Sequence, residues 1–365
     1  MIRTVKFSNQ QNEFFTTLSQ RVNHYFASRG IEKTANGEMF FKTAFMFALY
    51  LVPFVLLLSG VAQSFGAQLV LWAIMGTGVA GIGLSVMHDA NHGAYSRKPW
   101  LNNLLGFSLN LVGGHAMNWK VQHNVLHHTY TNIHDLDEDI SPRGVLRMAP
   151  ASEWRAMHRY QHWYAWFFYG LMTLVWVFVK DFFRLYKYQR EGLLKKQKTT
   201  AAREWALMIA TKAVYFTYIF GLPMTLLALP FWKVFAGFFL MHYIAGFILA
   251  IIFQPAHVME GTEYPMPDDK GNIENNWAIH QLHTTTNFGH RHRLLSWYVG
   301  GLNFQVEHHL FPNICHVHYR ALAPIVEQTA KEFGLPYKTK DTFLDAVVAH
   351  AAQLKLMGQK PVVSC

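Results

Sequence analysis

Seven histidines stand in three clusters: His88 with His92, His123 with His127 and His128, and His308 with His309. Imidazole is the commonest metal-binding side chain, and collecting it at this density is costly unless something binds it. Histidine supplies 21 of 365 residues and cysteine only 2, which excludes a thiolate-built zinc or iron–sulfur site and points to nitrogen ligands. Four-residue spacing puts His88 and His92 on one helix face; His123 and His127 repeat it, and so do Gln305 and His309. A catalytic zinc takes about four ligands with one position open, so this set is too large for a single zinc. Two metals fit better, and imidazole suits iron. His257 would add an eighth nitrogen, and eight ligands over two irons leave positions for dioxygen.

These clusters need elements that hold them at one depth. The chain is 51% hydrophobic and 15% charged, too oily for a typical soluble protein, and reads as an integral membrane protein. Crossing a bilayer takes about 20 apolar residues. Residues 39–60, 66–87, 205–229 and 231–253 meet that length, and they pair into two hairpins around the turns at 59–67 and Pro230. The segment from Lys180 to Arg203 is strongly basic while the hairpin turns hold little beyond Lys233, which puts both termini and the site in the cytoplasm. The expected fold is therefore all-α: four spanning helices, interfacial helices, and a cytosolic helical cap formed by residues 88–204 and 254–365. Residues 1–38 make a cytosolic N-terminal segment without signal-peptide character, and residues 1–365 form one domain. The stretches 101–118 and 163–179 read as interfacial; a lone crossing by the second would strand His308 and His309 on the opposite face from the other clusters.

The net charge of +10 gathers beside apolar segments, so anionic lipid headgroups are expected as partners and nucleic acid is not. His242 lies inside the fourth span, where it either lines an acyl tunnel or bonds a neighbouring helix. Asp89 and Glu307 stand inside clusters and are candidates to accept a proton from the second nitrogen of a ligating histidine. Asp135, Asp137, Glu138 and Asp139 lack the pattern of a calcium loop and read as a solvated turn before Pro142. His158 with His162, His290 with His292, and His316 with His318 read as structural or surface histidines; His280 and His283 rank below His257.

The clusters, the order of spans around them, and the run from Leu302 through Gln305, Glu307, His308 and His309 to Pro312 resemble the membrane fatty acid desaturases, closest to the front-end branch. Members of that branch carry glutamine where other desaturases have the first histidine of the third box; here that residue is Gln305. The resemblance runs from about Met39 to Pro324 and includes Trp119, Asn124, Thr131 and Asn132. It implies a di-iron centre held by His88, His92, His123, His127, His128, His257, His308 and His309, with Gln305 bound more weakly or through water. It further implies dioxygen as co-substrate and an acyl-CoA or acyl-lipid substrate that loses two hydrogens. The second box has one residue more between His123 and the pair than many eukaryotic members have. No His-Pro-Gly-Gly haem motif or P-loop is present, so no bound haem or nucleotide is expected and electrons come from a separate b5-type cytochrome or ferredoxin with its reductase.

Two rival readings share parts of this pattern. A hydroxylase or alkane monooxygenase would use the same centre to insert oxygen. A metal transporter would place its ligands near the bilayer midplane, whereas these lie beyond the span ends; a His-Glu-x-x-His zinc protease motif is absent.

Overall fold

The computed structural model describes residues 5–10, 12–140 and 144–361, so Pro142 and Cys365 lie outside the described residues. Its residues cluster into two compact units: Met1–Ala35, Gln122–Ala165 and Ile251–Cys365 form one, and Asn36–Val121 with Trp166–Ala250 form the other.

In the second unit, Gly37–Leu58 and Phe65–Asn91 are the first two helices long and apolar enough to cross a membrane. Each begins at a side-chain cap: Asn36 accepts the Met39 amide and Ser64 accepts the Ala67 amide. Their pairing depends on glycine. A Cβ at Gly78 would lie 2.6 Å from the Tyr50 amide nitrogen, so the two backbones approach with no space for a side chain. Gly78→Leu is expected to force the hairpin apart at a cost of about 1–3 kcal/mol, read as a lower melting temperature in detergent; unchanged melting would show that the helices can separate freely.

The third candidate span, Ala201–Leu226, begins four residues earlier than the hydropathy pattern suggests. Thr200 caps it, and the charged first turn is tied down: the Glu204 carboxylate accepts from Thr199 and lies 3.4 Å from His115 Nε2. About two turns deeper, buried Lys212 donates to the Gly113 and Val177 carbonyls and pairs with Asp181 at 2.9 Å. Such a pair is costly to desolvate alone, and these bonds satisfy the ammonium completely. The fourth span, Phe231–His257, is one continuous helix that carries His257 as its last residue instead of leaving it in the following loop. His242 bonds Tyr215 through Nε2 at 2.6 Å and Thr173 through Nδ1 at 3.1 Å. Both ring nitrogens are thus engaged by residues of neighbouring helices, as the bridging alternative requires.

The two ambiguous stretches differ. Residues 101–118 break into the short helices Pro99–Gly106, Ser108–Leu111 and Ala116–Trp119. Ala156–Gly170 and Met172–Arg190 are bent by 60° and are together long and apolar enough for a fifth span.

The first unit is helical with two minimal parallel pairings, Lys6–Phe7 with Asn272–Ile273 and Asn287–Phe288 with Thr339–Lys340. Its core follows from the helix Glu13–Arg29, whose Phe14, Leu18, Val22 and Phe26 recur every four residues and are buried. That stripe packs with Leu282, Val306, Leu322 and Val326. The same core therefore grips the helix Gln305–Leu310, which carries the third histidine cluster. An all-α fold with four apolar spans and histidine clusters is what the sequence pattern led one to expect.

Candidate metal centre

Within the first unit, three segments bring histidines together. The second cluster lies in a π-helical turn, Lys120–His127, continued by His128–Tyr130. An i to i+5 winding is wider than an α-helix and aligns residues four and five apart. His123 and His127 rings stack at 5.2 Å, and His123 and His128 rings meet at 4.8 Å with their Nε2 atoms 3.3 Å apart. The extra residue in this box is thus absorbed by local winding, and all three imidazoles share a face. His257 arrives from the end of the fourth span and His308 and His309 from the helix Gln305–Leu310.

These histidines form overlapping groups. Ligand atoms of His127, His257 and His309 all lie within 4.8 Å of one another, as do those of His128, His308 and His309, and those of His123, His127 and Asp139. His309 belongs to two of the three groups. All the histidines are buried.

The hydrogen bonds fix which nitrogens face inward. His127 Nδ1 donates to Asp137 Oδ2 at 3.0 Å, His257 Nδ1 to the Thr284 carbonyl at 3.3 Å, and His309 Nδ1 to Gln281 Oε1 at 2.9 Å. Each ring therefore keeps its proton on Nδ1 and a lone pair on Nε2, the tautomer a metal requires. The Nε2 atoms of these three residues are buried and have no hydrogen-bond partner. Buried orphans of this kind are rare, and here three converge within metal-ligand range. The donor set fits a transition metal of intermediate softness such as iron. Gln305 is buried at the start of the third-box helix, and its side chain interacts with His257.

Electrostatics favour the neutral ring at His309 and the protonated one at His127 while no metal is bound. Burial and the neighbouring rings hold His309 well below the usual histidine range. Burial also works against protonating His127, but the Asp137 carboxylate outweighs it and leaves that ring above the ordinary value.

Supporting residues differ from those the sequence suggested. Asp137 is fully buried, not in a solvated turn, and its carboxylate accepts from His127, from the Asn132 amide at 2.9 Å and from the Asp139 amide at 2.9 Å. Asn132 adopts the left-handed conformation, φ 59°, and donates its side-chain amide to the His257 and Glu263 carbonyls. Glu307 is buried but its carboxylate meets Asn287 and Tyr337, both at 2.8 Å, not a ligand histidine; burial pushes its pKa up to about 7 against those bonds. Asn287 also accepts the Val306 amide and so anchors the start of the third-box helix. Gln281 is the most informative residue that spacing did not reveal: its Oε1 accepts from His309, and the Thr131 hydroxyl lies 2.8 Å from both that oxygen and the His127 carbonyl, with one hydrogen to give to either. Gln281→Leu is expected to weaken iron binding about 10–100-fold, measured by metal titration of purified protein; unaltered affinity would mean that Gln281 does not orient His309.

Other sequence candidates have structural partners. His158 bonds the Arg155 amide and the Gly144 carbonyl, and His280 donates to the Thr131 carbonyl. His283 pairs with Glu263, and His318 donates to the Thr34 carbonyl. In the second unit, His88 and His92 rings lie 4.7 Å apart, as four-residue spacing requires, and Trp119 packs against both at 5.5 and 5.6 Å. They follow a π-helical turn, Ile82–Val86, within the second span. Asp89 is buried next to His88, 3.6 Å from its Nδ1.

Residues 64–341 match the family model described as fatty acid desaturase. The chain belongs to the fatty acid desaturase family. This desaturase is 36% identical over 359 residues to the sn-1 linoleoyl-lipid 6-desaturase of Synechocystis sp., covering 97% of this chain and 98% of that protein. It is 35% identical over 348 residues to the sn-1 linoleoyl-lipid 6-desaturase of Arthrospira platensis, with 95% and 93% covered. The acyl-lipid (8-3)-desaturase of Physcomitrium patens is 37% identical over 367 residues, covering 97% of this chain and 74% of the moss protein. The desaturase is thus an oxidoreductase of the front-end branch acting on fatty acyl chains, which removes the transporter reading.

Proposed function

We propose that this desaturase introduces a cis double bond at carbon 6 of a linoleoyl-type chain esterified to a glycerolipid, using two irons, dioxygen and two externally supplied electrons. Similarity to two 6-desaturases across more than nine-tenths of each chain supports the position and the carrier. The observation that carries the chemistry is the convergence of three unpartnered Nε2 atoms from His127, His257 and His309.

The irons would be held by His123, His127, His128, His257, His308 and His309, with Gln305 as a weaker ligand; His88 and His92 are assigned to the same centre by their box spacing and the family pattern. Bound iron would supply the activated oxygen needed to break an unactivated C–H bond. The chain's own residues do the rest. Asp137, Gln281 and the Thr284 carbonyl hold protons at Nδ1 and so aim each Nε2 inward. Burial of the cluster excludes bulk water, which protects a reactive centre from side reactions. The basic segment from Lys180 to Arg203 supports a cytoplasmic placement of the termini and the site, and the whole chain acts as one functional domain.

Expression in a host fed linoleic acid, with double bonds located by mass spectrometry in intact lipids and in the CoA pool, tests this reading. A new bond at carbon 6 is expected first in glycerolipids. Its appearance first in acyl-CoA would overturn the carrier assignment, and a product that has gained one oxygen instead of losing two hydrogens would restore the hydroxylase.

A further inference from the structure

A helix that ends inside a protein must hand its last carbonyls to other elements, because no following turn supplies the amides they would otherwise meet. The fourth span ends in this way at the metal centre. The Ala256 carbonyl accepts the Thr286 amide at 3.0 Å, that of His257 accepts the Asn132 side chain at 2.9 Å, and that of Met259 accepts the Thr262 hydroxyl at 2.7 Å. Val258 stands between the last two, and its carbonyl accepts from His350 Nδ1 at 2.5 Å across 92 positions of sequence.

His350 is brought there by the helix Phe343–Met357. Ala346, Ala349, His350, Gln353, Leu354 and Met357 are its buried residues, and their spacing of three and four keeps them on one side. A fully buried imidazole on such a face is costly unless it is hydrogen-bonded. The helix is held at both ends. Thr342 and Asp345 cap its start reciprocally, and at its end the Leu354, Met357 and Gly358 carbonyls accept from Gln161, Arg147 and Trp154 at 2.7, 2.7 and 2.8 Å. Arg147 and Gln161 are buried and also bond each other, the Arg147 amide donating to Gln161 Oε1 and Gln161 Nε2 to the Arg147 carbonyl. His350 therefore sits on a braced support. Burial lowers its pKa to about 4, so at neutral pH the ring carries one proton, and the bond to Val258 places that proton on Nδ1.

Resting on the di-iron reading above, we infer that His350 is a positioning residue for His257: it holds the Val258 carbonyl and so fixes the last turn of the fourth span, which carries His257 to the centre. The His257 ligand atom lies within 4.8 Å of those of His127 and His309. Its Nδ1 donates to the Thr284 carbonyl, a bond that sets the rotation of the ring. Asn132 and His350 instead hold the backbone beneath it, each taking one of two consecutive carbonyls, so that neither peptide turns without breaking a buried bond. Without the His350 donor the Val258 carbonyl is left short of a partner, and the turn must shift to find one.

The test titrates metal-stripped, full-length desaturase with ferrous iron under argon, by calorimetry, for the wild type and for His350→Asn, His350→Gln and His350→Leu. Circular dichroism melting and Mössbauer spectra of the iron-loaded samples accompany it. Asparagine carries an amide nitrogen near the place of the imidazole Nδ1, glutamine carries it one bond further out, and leucine has no donor. In the glutamine and leucine variants one of the two iron equivalents is expected to bind about tenfold more weakly, with one ferrous doublet altered and the other unchanged. His350→Asn should match the wild type. Should His350→Leu not fold, the asparagine and glutamine variants decide by the same comparison. Equal affinities across the series would overturn the assignment, and so would an equal weakening of both equivalents in step with a lower melting temperature, the mark of a residue that only holds the fold. If the wild type itself takes up fewer than two irons, the di-iron reading fails and this inference with it, an outcome distinct from a flat series in protein that binds both.

Discussion

His309→Ala is expected to remove desaturation and to empty the centre of iron. His309, like His127, belongs to two of the groups: its ligand atom falls within 4.8 Å of those of His127 and His257, and also of those of His128 and His308. Its ring stacks on His128 at 4.3 Å and meets His127 and His257 at 4.9 Å each. Alanine would leave both groups short of a nitrogen and open a space in a cluster that no neighbour can refill. Loss of one ligand or of its support costs about 10–100-fold in metal affinity even for supporting residues alone, so removal of a shared ligand should lower product by more than about a hundredfold. The fold should survive, because Gln281 keeps its contact with the Thr131 hydroxyl after His309 is gone. Elemental analysis of the purified variant, beside its circular dichroism, checks this: a folded protein with wild-type iron content would show that His309 is not a ligand.

The second large effect is expected at Asp137. Its carboxylate satisfies three donors at once, the His127 ring and the amides of Asn132 and Asp139, and it is fully buried. Asp137→Ala would leave all three without that acceptor. A buried donor left unsatisfied costs about 1–3 kcal/mol, so destabilisation of several kcal/mol is expected together with a 10–100-fold fall in iron affinity. Asp137→Asn separates the two effects, since an amide oxygen can still accept from the backbone but no longer offers a charge to His127. Iron affinity should rank wild type, then Asp137→Asn, then Asp137→Ala in isothermal titration with ferrous iron under argon. Equal affinities in all three would remove Asp137 from the support of His127.

Much of the molecule was legible because its largest signals are local. Four apolar runs of bilayer length need only composition to be found, and His88 with His92 or Gln305 with His309 need only helical spacing. What the linear pattern hid was long-range. Gln281 meets Thr131 across 150 positions and His309 across 28, so no periodicity marks it as a supporting residue. Asp137 looked like part of an acidic, solvated turn; burial comes from its three hydrogen bonds, one to a histidine ten residues upstream. Glu307, between Val306 and His308, suggested a histidine partner, yet the helix points it to Asn287 and Tyr337 instead. The π-helical winding of 120–127 was also invisible, although the additional residue in the second box was its trace.

The central claim is that the converging histidines hold a pair of irons that desaturates an acyl lipid. Metal analysis of the purified, catalytically active desaturase tests it most directly. About two irons per chain are expected, lost in parallel with the new double bond as chelator is added and regained with ferrous iron. Full activity in protein that contains no iron, or only zinc, would contradict the account.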